Sequence, residues 1–257
     1  MSRPIGLQPD DLTRVMSAFG VAETQVRRDH AVSHILATLS QHHQDDLIFF
    51  GGTALSRTYL IDERLSEDID LIATVPRNTL ATALIQHIGS GLARTHGRLT
   101  WTPPWSQASD IEPAIAVTPD GIAIKIQLLA GTHYEKWPTE LHQIEQRYHD
   151  APPATLRVPT MPAFAGWKLS AWLDRRTSRD LYDLWALSQV GALNDESAML
   201  FAKYGSTNGP PQPWMFRQAP SAAEWQAQLG AQTRLTVTAE EALRAVRETW
   251  TPAAEED

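Results

Sequence analysis

Residues 47–72 read LIFFGGTALSRTYLIDERLSEDIDLI, and this stretch decides the fold. The opening run Leu47-Ile48-Phe49-Phe50 is short and apolar, the pattern of a buried strand. Gly51, Gly52 and Thr53 form a turn, and a helix is expected from Ala54 to about Ile61. A polar turn, Asp62 to Glu67, leads into Asp68-Ile69-Asp70-Leu71-Ile72, where acidic and apolar residues alternate. On a strand, side chains i and i+2 share a face. Asp68 and Asp70 are therefore expected side by side, with Ile69 and Leu71 turned into the core.

Neighbouring carboxylates disfavour each other's ionised forms, and a divalent cation relieves that repulsion. Mg2+ takes hard oxygen ligands and binds through one or two carboxylates, waters and substrate phosphates. Glycine lets a backbone approach a ligand closely, and the N-terminus of a helix presents free N–H groups to phosphate. Taken singly, a surface Asp-x-Asp or a strand–turn–helix is ordinary. Joined in one strand–turn–helix–turn–strand unit, they read as a phosphate cradle at Gly52 and Thr53 beside a metal pair, Asp68 and Asp70.

The run from Gly51 to Leu71, and Arg64-Leu65-Ser66-Glu67-Asp68-Ile69-Asp70-Leu71 within it, resembles the AbiEii-type, MenT-like nucleotidyltransferase toxins. These belong to the DNA polymerase β-like nucleotidyltransferase superfamily. Its pattern is a Gly-Ser or Gly-Thr turn, a short helix, then Asp-x-Asp on the next strand, and Gly52, Thr53, Asp68 and Asp70 fill those positions. The resemblance spans about residues 25–190. It implies an α/β fold: a polymerase β-like nucleotidyltransferase core with a mixed sheet, and a mostly helical C-terminal domain. It also implies Mg2+ as cofactor, NTP as substrate, and transfer of NMP to an acceptor hydroxyl, a tRNA 3′ end first among candidates. The implied biology is a toxin held in check by a cognate antitoxin.

Length and composition bound the class of protein. The 257 residues suffice for one large domain or two modest ones, and 42% are hydrophobic. The chain has no cysteine, which excludes disulfides and thiolate metal sites. The N-terminal MSRPIGLQPDDL lacks the apolar core of a signal peptide, and no stretch approaches the roughly 20 apolar residues of a membrane span. A cytoplasmic protein is expected. A net charge of −8 argues against broad nucleic-acid binding, while leaving room for a local basic groove.

In chain order, helices are expected over Pro9–Gly20, Glu23 to about His42, and Asn78 to about Leu92. His30 and His34 are one turn apart, but no nearby acid completes a metal set, so they read as surface or packing histidines. Ile115–Val117 and Gly121–Leu129 read as strands joined at Pro119-Asp120-Gly121, with Ile124, Ile126 and Leu128 on one face and Lys125 and Gln127 on the other. The resemblance puts a third carboxylate on this later strand, in a Lys-x-Glu-like pattern. Here the residues are Lys125-Ile126-Gln127. A neutral amide can hydrogen-bond a nucleotide but adds no negative charge, which weighs against a two-metal mechanism.

Residues 138–149, PTELHQIEQRYH, read as helical within a proline-rich hinge, and a boundary near residue 150 separates domains 1–150 and 151–257. As one helix, Met161–Leu187 would align Lys168, Trp172, Arg175, Arg179 and Asp183 on a face. A break near Arg176-Thr177, with Thr177 or Ser178 as N-cap, is the second reading. The spacing alone describes a solvated charged face. By the resemblance, Lys168 faces the triphosphate, Asp183 helps position it, and Arg179 and Asp180 belong to the same element. Arg57, Arg64, Arg175 and Arg176 are candidates for an RNA-facing rim, and Ser66 for a control point, where phosphorylation would add about −1.5 to −2 charge beside the metal pair. Further on, Thr207–Pro220 reads as a loop, Ser221 to about Ala231 and Ala239–Trp250 as helices, and Ala253–Asp257 as a frayed acidic tail. Trp214 and Trp225 read as packing residues before base-stacking ones. Three alternatives stay open: transfer to a small molecule or protein hydroxyl, a degenerate nucleotide-binding regulatory module, or a metal-binding structural protein.

Overall fold

The strand at the head of the organising stretch is β1, Leu47–Phe50, in a computed structural model that describes residues 6–103, 105, 112–131 and 137–250. It pairs antiparallel with β2, Ile69–Ala73, placing Phe50 opposite Asp70. The sheet continues from β2 to β5, Ala123–Ala130, in parallel, then antiparallel to β4, Ala114–Val117, and β3, Thr100–Thr102. Its order among the described residues is β1-β2-β5-β4-β3, a mixed sheet as expected. The alternation in β5 is obeyed: Ile124, Ile126 and Leu128 are buried, while Lys125 and Gln127 lie on the other face.

The helices of this part are α1, Pro9–Phe19, α2, Glu23–His43, α3, Gly51–Ser56, and α4, Arg77–Leu92. Helix α2 packs against α4 and β5. It is buried around most of its circumference, including Asp29, His30 and His34, so its sequence carries no narrow apolar stripe.

Two expectations fail here. Helix α3 begins at Gly51 and stops at Ser56 instead of running to Ile61. Residues 139–144 form a strand, β6, Thr139–Ile144, paired with β7, Ala154–Pro159, instead of a helix. Buried charges distant in sequence hold the end of α3 and the residues that follow β6. Arg57, at the end of α3, turns inward: Nη2 donates to Asp29 Oδ1 at 2.7 Å and Nη1 to Glu145 O at 2.8 Å. Arg147 Nη2 donates to Ser56 O at 2.7 Å, and the Tyr148 hydroxyl to Asp29 Oδ2 at 2.9 Å. Burial and the neighbouring Arg57 lower the Arg147 pKa to about 10, still charged at neutral pH.

The chain divides into two units, one of Met1–Tyr134 with Thr139–Val158, the other of Glu135–Pro138 with Pro159–Asp257. The second is helical: α5, Met161–Arg175, α6, Ser178–Gln189, α7, Asp195–Tyr204, α8, Ala222–Leu229, and α9, Ala239–Trp250. Helix α5 packs on α6 and α7, and α6 on α8 and α9. The loop expected over residues 207–220 holds one 3-10 turn, Pro213–Phe216. The acidic tail lies outside the described residues, and no helix among them is long and apolar enough to cross a membrane.

Arg57 is fully buried and Arg64 is 3% exposed, so neither belongs to an RNA-facing rim. Breaking a buried ion pair from one side leaves the other charge uncompensated and costs about 3–5 kcal/mol. Arg57→Ala should therefore lower the urea midpoint of unfolding markedly, and a midpoint equal to wild type would contradict this account of the network.

Candidate active site

The sheet register assembles the acidic pair. Asp70 on β2 lies opposite Gln127 on β5, and Ile69 lies opposite Ile126. Extending that register by one residue puts Asp68 level with Lys125, and Lys125 Nζ lies 3.6 Å from Asp68 Oδ2. Both are partly exposed, at 48% and 38%, so the pair adds little stability. Ile69 and Leu71 are fully buried on the opposite face, so Asp68 and Asp70 share the accessible one.

The Gly-Gly-Thr turn supports these carboxylates directly. Gly51 has φ +79°, and a Cβ there would overlap the Asp70 carboxylate. A Cβ on Gly52 would lie 2.8 Å from Arg64 Nη2 and 3.1 Å from Ser66 Oγ. Thr53 is buried, and its hydroxyl donates to the carbonyl of Asp68 and is hydrogen-bonded to Ser66 Oγ at 3.0 Å. Thr53 thus positions Asp68 from behind, a contact that spacing alone could not reveal. The donor set fits Mg2+: two carboxylates on one strand face, with a neutral amide at the next strand. It holds no third carboxylate among the residues that flank the pair on β5.

In the helical unit the break between α5 and α6 is the observed arrangement. Arg176 takes a left-handed conformation, φ 51°, and Thr177 caps α6, its side chain accepting from Asp180 N. Lys168 Nζ lies 2.7 Å from Asp183 Oδ2 and 3.6 Å from Asp180 Oδ1. Asp180 also accepts from Arg175 Nη2 at 2.7 Å and Thr177 Oγ1 at 2.6 Å. Lys168, Asp180 and Asp183 are buried together, and Lys168 and Arg175 balance the two carboxylates in charge.

A single face through Arg179 does not form. Arg179 is exposed on the first turn of α6, and Trp172 is buried with its indole N–H donating to Met215 O at 3.0 Å. Arg176 stacks over the Trp172 ring at 4.8 Å and donates to the same carbonyl. Arg175, Arg176 and Arg179 are exposed around the turn between α5 and α6. Trp225 is buried with its N–H on Val237 O, while Trp214 is 45% exposed.

Sequence reasoning also missed an acid. Asp150 reaches His30 and His34, which are buried rather than on the surface, and completes the set that the local sequence lacked.

Two substitutions probe the turn. Gly51→Ala adds a methyl where the Asp70 carboxylate lies and strains a positive φ, at a cost of order 1–3 kcal/mol. Ser66→Glu puts a charge against Thr53 and Gly52. Both should abolish metal-dependent nucleotide binding, measured by calorimetry, while far-UV circular dichroism stays native. Wild-type nucleotide affinity in either variant would contradict the geometry.

Comparison with known proteins gives the family. Residues 34–255 match the family described as nucleotidyl transferase AbiEii toxin, type IV toxin–antitoxin system. The fold is similar to MenT4, a nucleotidyltransferase toxin from Mycobacterium tuberculosis H37Rv, with TM-score 0.72, 22% identity, and coverage of 96% of this chain and 89% of that one. An antigenic nucleotidyltransferase-like protein from Paracoccidioides brasiliensis gives TM-score 0.44 at 14% identity, over 68% of this chain and 87% of that one. A stretch of 104 residues is 33% identical to ribosomal RNA small subunit methyltransferase A of Zymomonas mobilis subsp. mobilis, covering 40% of this chain and 33% of that protein's length. With the family match running over most of the sequence, the chain belongs to the AbiEii nucleotidyltransferase toxin family of type IV toxin–antitoxin systems.

Proposed function

We propose that the chain transfers NMP from an NTP to an acceptor hydroxyl, a tRNA 3′ end first among candidates, with Mg2+ held by Asp68 and Asp70. The observation that carries this reading is the Asp68 and Asp70 pair on one accessible strand face, with Asp70 packed on the Gly51 backbone. Bound Mg2+ would supply charge neutralisation on the NTP phosphates and at the reacting α-phosphorus. The protein's part is to keep the two carboxylates fixed. Thr53 holds the Asp68 backbone, and Lys125 lies beside the Asp68 carboxylate. The acceptor hydroxyl loses its proton to Asp70 or Asp68 as it attacks the α-phosphorus, and pyrophosphate leaves. Gln127, opposite Asp70, offers a hydrogen bond in place of a third charge, which suits one metal ion.

In the helical unit we assign the triphosphate to Lys168, a compact point charge suited to phosphate. Asp183 and Asp180 hold its ammonium in one orientation. Arg175, Arg176 and Arg179 are proposed as the RNA-facing corner, replacing the rim that included Arg57 and Arg64. A cognate antitoxin is the proposed protein partner, and the cytoplasm the proposed compartment.

Incubating purified protein with total RNA, Mg2+ and each α-labelled NTP tests the reaction. Label should appear on a tRNA-sized band with wild type and be lost with Asp68→Ala. Label on another acceptor would reject the tRNA assignment alone. Nucleotide binding without label would favour the degenerate binding module that Gln127 suggests, and Gln127→Glu should then restore transfer. Arg179→Glu should weaken RNA binding by about tenfold and leave NTP binding intact, and equal loss of both would reject the basic corner.

A further inference from the structure

The N-terminal unit holds a second polar cluster whose groups serve no step above. His30 and His34 stand one turn apart on α2, 3% and 6% exposed. Asp150, from a segment far along the chain, points its carboxylate between them with its side chain 4% exposed. We propose that His30 Nε2, His34 Nε2 and the Asp150 carboxylate bind a divalent transition-metal ion, zinc above all, with His96 supporting His30 from behind.

The distances suit such an ion. His30 Nε2 lies 3.0 and 3.2 Å from the two Asp150 oxygens, and His34 Nε2 lies 3.2 Å from Oδ2. All three ligand atoms fall within 4.8 Å of one another. Zinc bonds of about 2.0–2.2 Å in a tetrahedron put neighbouring ligand atoms about 3.3 Å apart. Three protein ligands leave one position for water. Two imidazoles with one carboxylate favour zinc or a related transition metal over Mg2+, which prefers oxygen throughout.

The surrounding hydrogen bonds admit a proton arrangement that frees the ligand atom. His30 Nδ1 lies 3.0 Å from His96 Nε2, and His96 Nδ1 lies 2.8 Å from Thr95 Oγ1. Thr95 Oγ1 in turn is 3.4 Å from Leu92 O, a carbonyl that can only accept. Running the donors toward that carbonyl, His30 Nδ1–H donates to His96, His96 Nδ1–H to Thr95, and Thr95 O–H to Leu92. In that arrangement His30 Nε2 presents its lone pair toward the Asp150 carboxylate, 3.0 Å away. A cation between them would take a lone pair from each. An imidazole held through its far nitrogen, and a carboxylate fixed by a backbone N–H, are the usual supports of a metal ligand. Gly6 N supplies the latter, at 3.0 Å from Asp150 Oδ2.

The site would fasten α2 to the segment around Asp150 and to Gly6. Its neighbour on α2, Asp29, holds Arg57 at the end of α3, so an ion there would stiffen the same scaffold that carries the acidic pair. The part-buried contacts among His43, Asp46 and His87 form a separate group and serve as a control.

The test uses the full chain, stripped with chelator and titrated with zinc and with cobalt. It is repeated in an Asp68→Ala, Asp70→Ala background so that the acidic pair contributes nothing. We expect one equivalent of zinc by elemental analysis, a tetrahedral cobalt absorption spectrum that zinc abolishes, and a zinc-dependent rise in melting temperature. Both His34→Gln and Asp150→Asn should lose the cobalt spectrum. His96→Gln should bind about 10–100-fold more weakly, and His87→Gln should bind as wild type. If a ligand variant fails to fold, the wild-type cobalt spectrum decides. No zinc retained and no tetrahedral spectrum, unchanged zinc binding in His34→Gln and Asp150→Asn, or loss of zinc in the Asp68, Asp70 background would each overturn the proposal.

Discussion

Asp70 can occupy its position only because residue 51 has no side chain. Its carboxylate fills the volume that any Cβ at Gly51 would take, and Gly51 sits at a positive φ that favours glycine. This close approach follows from the register of β1 against β2, which the burial of Phe49, Ile69 and Leu71 enforces. A slip of one residue would send Asp68 and Asp70 into the core and their apolar neighbours into solvent. The apolar pattern and the missing Cβ therefore state the same geometry twice.

The short helix after this turn is fixed at both ends. At its start, Gly51 meets Asp70 and Thr53 holds the Asp68 carbonyl. At its end, Arg57 is tied to Asp29 and the Glu145 carbonyl. Six residues are too few for a stable helix in isolation, so tertiary contacts must set its length. The helical unit uses the same principle where Lys168 is gripped by Asp180 and Asp183. Such groups tolerate joint replacement better than loss of one member, which makes stability measurements a necessary companion to activity in any variant of them.

Local pattern made much of this legible. The Asp-x-Asp alternation, the β5 alternation, the Gly-Gly turn and the Thr177 cap could be read from residues a few positions apart. What stayed hidden depends on partners far along the chain. Arg57 and Arg64 look like rim residues until Asp29 and the 64–66 packing are in place. The segment 139–144 looks helical until β7 pairs with it. His30 and His34 lack an acid until Asp150 arrives. Thr53 offered a phosphate contact by type, and only the fold shows its hydroxyl turned onto Asp68. The capping box of Asn194 with Ser197, by contrast, is a local signal for α7 that was present in the sequence and passed over.

The central claim is that Asp68 and Asp70 together hold the metal that carries the nucleotide. Anomalous diffraction from crystals of the full chain grown with Mn2+ and a non-hydrolysable NTP tests it most directly. The account predicts a manganese peak within bonding distance of both carboxylates and of the nucleotide phosphates. Nucleotide bound with no manganese at Asp68 and Asp70, or manganese and phosphates gathered elsewhere, would contradict it.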